Sequence, residues 1–138
     1  MMMRSIICVV AGFIVVMVVV TAGTAAATEL IVPGGLFGAA AAPATELPAN
    51  YFAANLTVSI MAAVLGGWVT ARMAPSREML HVLALSGLII LMSIPGIMGY
   101  DQSQVVQPVW YVYLLPVLGV GGVLLGGWLR SRVVNPES

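Results

Sequence analysis

The chain has 138 residues, of which 61% are hydrophobic and 7% are charged, and its formal net charge at pH 7 is zero. Soluble domains carry roughly 25% charged residues, so this composition, with a mean hydropathy of +1.08, excludes a water-soluble globule and indicates a membrane domain. The absence of lysine excludes a polybasic nucleic-acid surface. A single cysteine, Cys8, excludes an internal disulfide, and the one histidine, His81, cannot alone form a multi-histidine metal site.

Four stretches without a charged residue are long enough to cross a bilayer as helices, which takes about 20 apolar residues. Trimming the polar and proline-containing ends of these stretches predicts helices at 5–26, 52–73, 78–99 and 108–130. The predicted fold class is therefore all-α: a polytopic membrane protein with four transmembrane helices arranged as two hairpins. One membrane domain, 1–138, contains them all.

The first predicted helix has two interpretations. The apolar run 6–20 follows Arg4 and precedes the small residues TAGTAAAT, a pattern that is typical of a secretory signal with a cleavage site. The uncharged stretch nevertheless continues far enough to span a bilayer, so we expect an uncleaved anchor.

The connections between the helices are predicted from their prolines, glycines and polar residues. The outer loop, 28–51, is rich in proline and glycine and is expected to be irregular. We interpret it as a cover over the bundle, with a ligand lid as the alternative. In the inner turn, 73–78, Ser76 is the expected N-cap of the third helix. Pro95 and Pro116 fall inside predicted helices and are expected to bend them.

The distribution of charge predicts how the bundle is oriented. In the predicted topology every basic residue falls on one side of the membrane, and these residues are Arg4, Arg72, Arg77, Arg130 and Arg132. The opposite side holds Glu29, Glu46 and Asp101. Because positively charged loops stay in the cytoplasm, both termini and the inner turn are predicted to be cytoplasmic.

One phrase occurs twice: Leu-Gly-Gly-Trp, followed by an arginine four positions after the tryptophan, at 65–72 and 125–132. Both copies end helices that run in the same direction, and stripes of small residues let helix backbones approach closely in lipid. The second and fourth helices are therefore predicted to pack in parallel, and the repeat indicates duplication of a hairpin. The packing residues are Ser59, Ala63, Gly66, Gly67, Ala71, Gly119, Gly122, Gly126 and Gly127.

Aromatic and basic residues near the helix ends are predicted to anchor the bundle at the two membrane surfaces. Arg72 and Arg132 extend the helices beyond the repeated tryptophans and are expected to reach lipid phosphates; a specific phosphate or headgroup site is the alternative. At the outer end we expect an aromatic belt, with a rim for docking a partner as the alternative. The predicted anchors are Trp68, Arg72, Trp110, Tyr111, Trp128 and Arg132.

The residues that carry chemistry are few. No span has an ionisable residue at mid-depth, which argues against a proton-coupled exporter. The nine methionines follow no regular spacing and are interpreted as apolar filler rather than copper ligands. No catalytic triad, metalloprotease or phosphate-loop pattern occurs. We therefore predict no enzymatic activity, no cofactor and no metal site.

Four segments, RSIICVVAGFIVV, LGGWVTARMAP, PVWYVYLLP and LGGWLRSR, resemble those of a family of small four-helix bacterial inner-membrane proteins that has no assigned function. The resemblance covers most of the chain, and its motifs are architectural. It implies a bacterial cytoplasmic membrane and supplies no catalytic residue.

Two functions are compatible with these patterns. The first is a non-enzymatic structural or accessory subunit that contacts membrane lipids and associates, as a homo-oligomer or in a larger membrane complex, through small-residue helix faces. The second is a transporter or channel for a small solute or lipid, which acts as an oligomer and needs a polar path. The residues available for such a path are Asn55, Thr57, Ser59, Ser86 and Ser93.

Overall fold

A computed structural model of the chain describes residues 2–36, 47–74, 76–99 and 107–134. The elements in these ranges are α1 (Met2–Ile31), α2 (Ala49–Met73), α3 (Glu78–Met98) and α4 (Val109–Val134). Each helix is long and apolar enough to span a membrane, and the described residues contain no strand. The predicted all-α fold with four membrane helices is therefore confirmed.

The first helix extends five residues past its predicted end, to Ile31. Its termination is local: Gly34 and Gly35 adopt positive φ angles of 84° and 59°, which glycine tolerates because it has no Cβ. The Glu29 carboxylate then accepts a hydrogen bond from the backbone N–H of Leu36 at 3.0 Å. The loop between α1 and α2 is correspondingly shorter than predicted, and its residues 37–46 lie outside the described ranges.

Two prolines directly precede helices, and two others lie inside helices at the positions where bends were predicted. Pro48 and Pro108 directly precede α2 and α4, and their carbonyls accept backbone hydrogen bonds of 2.9 Å from Tyr51 and Tyr111. Pro95 and Pro116 are helical, and α3 continues past Pro95 to its last residue. A membrane helix tolerates such a proline when neighbouring groups satisfy the carbonyl that it frees.

The turn before α3 differs from its prediction. Arg77, not Ser76, occupies the N-cap position, with a left-handed backbone (φ 49°, ψ 55°) and no side-chain capping bond. Its carbonyl accepts a hydrogen bond from the backbone N–H of Leu80 at 2.9 Å. The chain reverses at Arg77, which leaves Ser76 one residue too early to cap the helix. Arg77 is the one non-glycine residue with positive φ in the described part of the chain.

The two parallel helices α2 and α4 form the centre of the bundle. Gly122 faces Ala63, and Gly126 faces Val64 and Trp68. Residue numbers therefore rise in the same direction along both helices. Successive helices of an up-and-down bundle alternate in direction, so α2 and α4, which are two elements apart, run parallel to each other.

The other two helices pack on this central pair in the opposite direction. Antiparallel to α2, α1 places Gly12 beside Gly66 and Gly23 beside Val58. Antiparallel to α4, α3 places Val82 beside Gly127. All five basic residues therefore lie at one end of the bundle, which we call the arginine end. The opposite end holds a buried cluster of Ala27, Tyr51, Phe52 and Tyr111, and we call it the aromatic end.

Candidate functional site

The α2–α4 contact depends on glycines that bring the two backbones together. A methyl group on Gly67 would stand 2.8 Å from the carbonyl carbon of Val123, and one on Gly126 would stand 2.8 Å from the carbonyl carbon of Val64. In both cases the carbonyl oxygen is the nearest atom, so each glycine Cα–H points at a carbonyl of the facing helix. Such contacts recur between helices and contribute about 0.5–1 kcal/mol each. Neither position has room for a side chain.

The same arrangement joins α1 to α2. A methyl group on Gly12 would stand 2.8 Å from the carbonyl oxygen of Gly66, and one on Gly66 would stand 2.9 Å from the carbonyl oxygen of Gly12. The Thr70 side chain also lies against Gly12, and Val58 lies against Gly23. Sequence reasoning missed both α1 glycines. Composition could have identified them, since they are the only two glycines in α1.

The predicted packing residues do not all face the same helix. Ser59, Ala63 and Ala71 are buried on α2, and Ala63 lies 2.7 Å from a methyl group placed on Gly122. The α4 glycines divide: Gly122 and Gly126 face α2, whereas Gly119 faces Ile89 and Gly127 faces Val82, both on α3. The two glycine columns of α4 therefore join different helices.

The two copies of the repeat use their glycines in opposite order. In the first copy, Gly66 faces its hairpin partner α1 and Gly67 faces across to α4. In the second copy, Gly126 faces across to α2 and Gly127 faces its hairpin partner α3. Successive residues on a helix differ by about 100° in direction, so the two hairpins are rotated differently about their α2 and α4 axes. Duplication of the hairpin stays a prediction.

Burial of these glycines has a consequence for association. Gly66, Gly67, Gly122 and Gly126 are all buried against helices of the same chain. They leave no surface for a second protein. These four glycines therefore pack helices of the chain against one another, and association with a second chain through small-residue faces stays a prediction.

At the arginine end, each repeated tryptophan is paired with the arginine one turn later. The Arg72 guanidinium carbon lies 5.2 Å from the centroid of the Trp68 ring, and that of Arg132 lies 5.0 Å from the Trp128 ring. Cation–π pairs of this kind contribute about 0.5–1 kcal/mol at exposed sites. Both arginines are exposed. Each arginine therefore stacks on the tryptophan of its own helix, and a shared phosphate or headgroup site stays a prediction.

At the aromatic end, a chain of polar side chains crosses the bundle. The Thr24 hydroxyl of α1 donates to Asn55 Oδ1 of α2 at 3.0 Å, and Asn55 Nδ2 donates to the Tyr111 hydroxyl of α4 at 2.8 Å. The Ser59 hydroxyl donates to the Asn55 backbone carbonyl at 2.8 Å. Three helices are thus joined by hydrogen bonds at one level, and we call Thr24, Asn55 and Tyr111 the polar triad.

The prediction that Tyr111 is a membrane-surface anchor is wrong. Its side chain is only 4% exposed, because its hydroxyl has a buried partner in Asn55 and its ring packs edge-to-face on Phe52 at 4.9 Å. Trp110, in contrast, is 54% exposed and contacts Phe52 and Tyr111 by ring edges. Aromatic residues next to each other on a helix point in different directions, so one faces the interior and the other faces outward.

The residues considered for a polar path do not share one surface. The Asn55, Ser59 and Ser86 side chains are buried and hydrogen-bonded within the bundle, whereas Thr57 is exposed and bonds to the carbonyl of Ala53. Ser93 lines a cavity of about 420 Å³ between α3 and α4 at the aromatic end. Tyr111 and Pro116 also line this cavity, which connects one member of the polar triad to the outside of the bundle.

The described residues contain no group of three or more His, Cys, Asp and Glu placed to hold a metal ion. Comparison of the chain with family models, curated proteins and solved structures gives no match. The resemblance to small bacterial inner-membrane proteins thus stays a prediction.

Proposed function

We propose that the chain is a non-enzymatic integral membrane protein that acts as a structural or accessory subunit of a membrane assembly. The arginine end faces the cytoplasm of a bacterial cell, and both termini lie there, as the concentration of basic residues supports. The family resemblance supports the bacterial inner membrane as its location.

The interior of the bundle supports a structural role. Its central helices touch through their backbones at Gly67 and Gly126, and its polar triad is hydrogen-bonded within itself. A solute path needs polar groups that exchange partners with the solute. Here the Thr24 hydroxyl and the Asn55 amide donate hydrogen bonds between helices, and the Ser59 and Ser86 hydroxyls donate to carbonyls of their own helices.

The observation that carries the proposal is a pair of open notches on the outer surface. Nothing lies within 4 Å of a methyl group placed on Gly87 of α3 or on Gly121 of α4. Each glycine is flanked one turn away by exposed apolar side chains, Leu83 and Leu91 on α3 and Val117 and Leu125 on α4. In lipid, where burial of apolar surface gives no gain, such notches are the places where another membrane helix packs.

The test replaces these two glycines by leucine in the full-length protein. Because both positions face open space, the Gly87→Leu, Gly121→Leu double variant should keep its helical content while losing its partner. Gentle extraction from native membranes, followed by size-exclusion chromatography and mass spectrometry, measures the assembly. Gly96→Leu is the matched control, since Gly96 also faces open space but lies in the last turn of α3.

We expect the wild-type protein and the Gly96→Leu control to elute with a partner or as an oligomer, and the double variant to elute alone. Recovery of the wild-type chain as a single subunit under gentle extraction would contradict the proposal. So would an assembly that the double variant retains.

The second candidate function is transport of a small solute or lipid by an oligomer. The cavity of about 420 Å³ between α3 and α4, with Ser93 and Tyr111 on its wall, is the observation that favours it. A flux assay in proteoliposomes with Ser93→Leu tests this function, since a leucine at this position would occupy the cavity. Flux that depends on Ser93 would favour transport over the accessory role.

A further inference from the structure

A second groove lies at the arginine end, between the first turns of α1 and α3. Its volume is about 660 Å³, within the range of about 300–1,000 Å³ typical of small-molecule sites. Ser5 lines it on α1, and Arg77 and His81 line it on α3 together with Ser76 of the preceding turn. These polar residues sit at the membrane-surface level of the bundle, where lipid headgroups lie.

The rest of the groove is apolar and runs toward the middle of the membrane. Val9 and Val10 form the α1 wall, and Leu80 and Ala84 form the α3 wall. From Arg77 to Ala84 the wall extends for two helical turns, roughly 10 Å at 1.5 Å per residue. A charged rim over an apolar channel of this length has the shape and polarity of a phospholipid headgroup and the upper part of one acyl chain.

The backbone of Arg77 gives independent support. Its left-handed conformation is unfavourable for a residue that has a Cβ, and glycine would adopt it freely. An arginine at a position suited to glycine indicates that its side chain has a use. Such strain in a non-glycine residue concentrates at ligand sites and switch regions.

The charges around the groove are complementary to an anion. Arg77 is the charged residue on its wall, and α1 and α3 both begin at this end, so the positive ends of two helix dipoles face it. The His81 Nδ1 lies 3.2 Å from the carbonyl oxygen of Arg77. Glu78, the acidic residue of this turn, is not on the groove wall.

We propose that this groove binds one anionic phospholipid, with its phosphate on Arg77 and an acyl chain along Val9, Leu80 and Ala84. The site is distinct from the stacked Arg72 and Arg132, which lie on other helices. It does not depend on the accessory role of the protein.

Native mass spectrometry of the full-length protein in detergent tests the proposal, with dioleoyl phosphatidylglycerol and dioleoyl phosphatidylcholine as probes. These lipids share their acyl chains and differ in net headgroup charge. We expect one phosphatidylglycerol to bind about tenfold more tightly than phosphatidylcholine, a ratio that corresponds to about 1.4 kcal/mol. Arg77→Gln should remove this preference, and Ala84→Trp should weaken binding of both lipids by filling the channel.

Two further variants separate binding from folding. Arg77→Gly removes the guanidinium but suits the left-handed backbone. This variant should lose the lipid preference, and its melting temperature should be no lower than that of the wild type. Arg132→Gln removes a charge at the same end outside the groove and should keep the preference. The proposal is overturned if both lipids bind equally to the wild type or if either Arg77 variant retains the preference for phosphatidylglycerol. It is also overturned if Ala84→Trp leaves binding unchanged, or if Arg132→Gln reduces the preference as much as Arg77→Gln does.

Discussion

Substitution of Gly126 by alanine tests how tightly the two central helices are packed. The added methyl group would stand 2.8 Å from the Val64 carbonyl carbon and 2.9 Å from the Trp68 backbone nitrogen. These are backbone atoms, so no side chain can rotate away. Relief of the carbonyl-carbon contact alone, from 2.8 Å to the ordinary 3.4 Å, takes about 0.6 Å, and the Val64 carbonyl oxygen is nearer still, so the helices must separate by more than this.

The magnitude of the effect follows from two losses. Overpacking of a well-packed contact costs typically 1–3 kcal/mol, and a gap of 0.5–1 Å forfeits roughly a quarter to a half of the dispersion energy of the atoms along it. We therefore expect Gly126→Ala to lower the free energy of unfolding by about 2 kcal/mol. Gly121→Ala is the matched control, because a methyl group there meets nothing within 4 Å.

Unfolding by sodium dodecyl sulfate, followed through tryptophan fluorescence and circular dichroism, measures both variants. Alanine is the better helix former by up to about 1 kcal/mol, so Gly121→Ala should be neutral or stabilising. Equal stabilities for Gly126→Ala and Gly121→Ala would refute the reasoning, since the two glycines would then be equivalent despite their different surroundings.

The remaining predictions concern the helix contacts, the polar triad and the membrane orientation. Adding Gly67→Ala to Gly126→Ala should cost less than the sum of the single changes, because one separation of the helices relieves both contacts; the same unfolding assay checks it, and strict additivity would count against a shared contact. Asn55→Leu should destabilise the bundle by about 1 kcal/mol, because it breaks two hydrogen bonds between membrane helices that contribute about 0.6 kcal/mol each on average, and Tyr111→Phe should destabilise it by less, since Thr24 and Asn55 stay bonded; a larger loss in Tyr111→Phe would be inconsistent with the triad. Thr70→Val should be neutral or stabilising in a thermal melt, because the buried Thr70 hydroxyl has no hydrogen-bond partner. Cysteines placed at Arg4 and Arg132 in a Cys8→Ser background should react with a membrane-impermeant thiol reagent only after cells are opened, and labelling of either position in intact cells would disprove a cytoplasmic arginine end.

The number and type of elements could be predicted from the sequence because charged residues mark the limits of each span. The small residues of α2 could be identified as one face by their spacing of four, but the spacing does not say which helix covers them. In α4 two adjacent glycine columns face α2 and α3 respectively. That division depends on the rotation of each helix about its axis, which a nearly uniform apolar sequence does not encode.

The contributions of α1, Tyr111 and Arg77 were the least predictable. In α1 the buried and exposed faces are both mainly apolar, so small and weakly polar residues such as Gly12, Gly23 and Thr24 are what distinguish them. An aromatic residue at the end of a membrane helix looks alike in sequence whether it faces lipid or, as Tyr111 does, a buried amide. The left-handed backbone of Arg77 arises from the geometry of a short turn, and arginine carries no propensity for it.

The pairing of α2 with α4 inside one chain is the central claim, and a disulfide tests it most directly. A methyl group on Gly122 would lie 2.7 Å from the Ala63 Cβ, so cysteines at these two positions are close enough to bridge after a small adjustment. In a Cys8→Ser background, mild oxidation of Ala63→Cys with Gly122→Cys should give a cross-linked monomer. Ala63→Cys with Gly121→Cys should not, because Gly121 faces away. A cross-link that forms only between two chains, or equally in both pairs, would contradict the account.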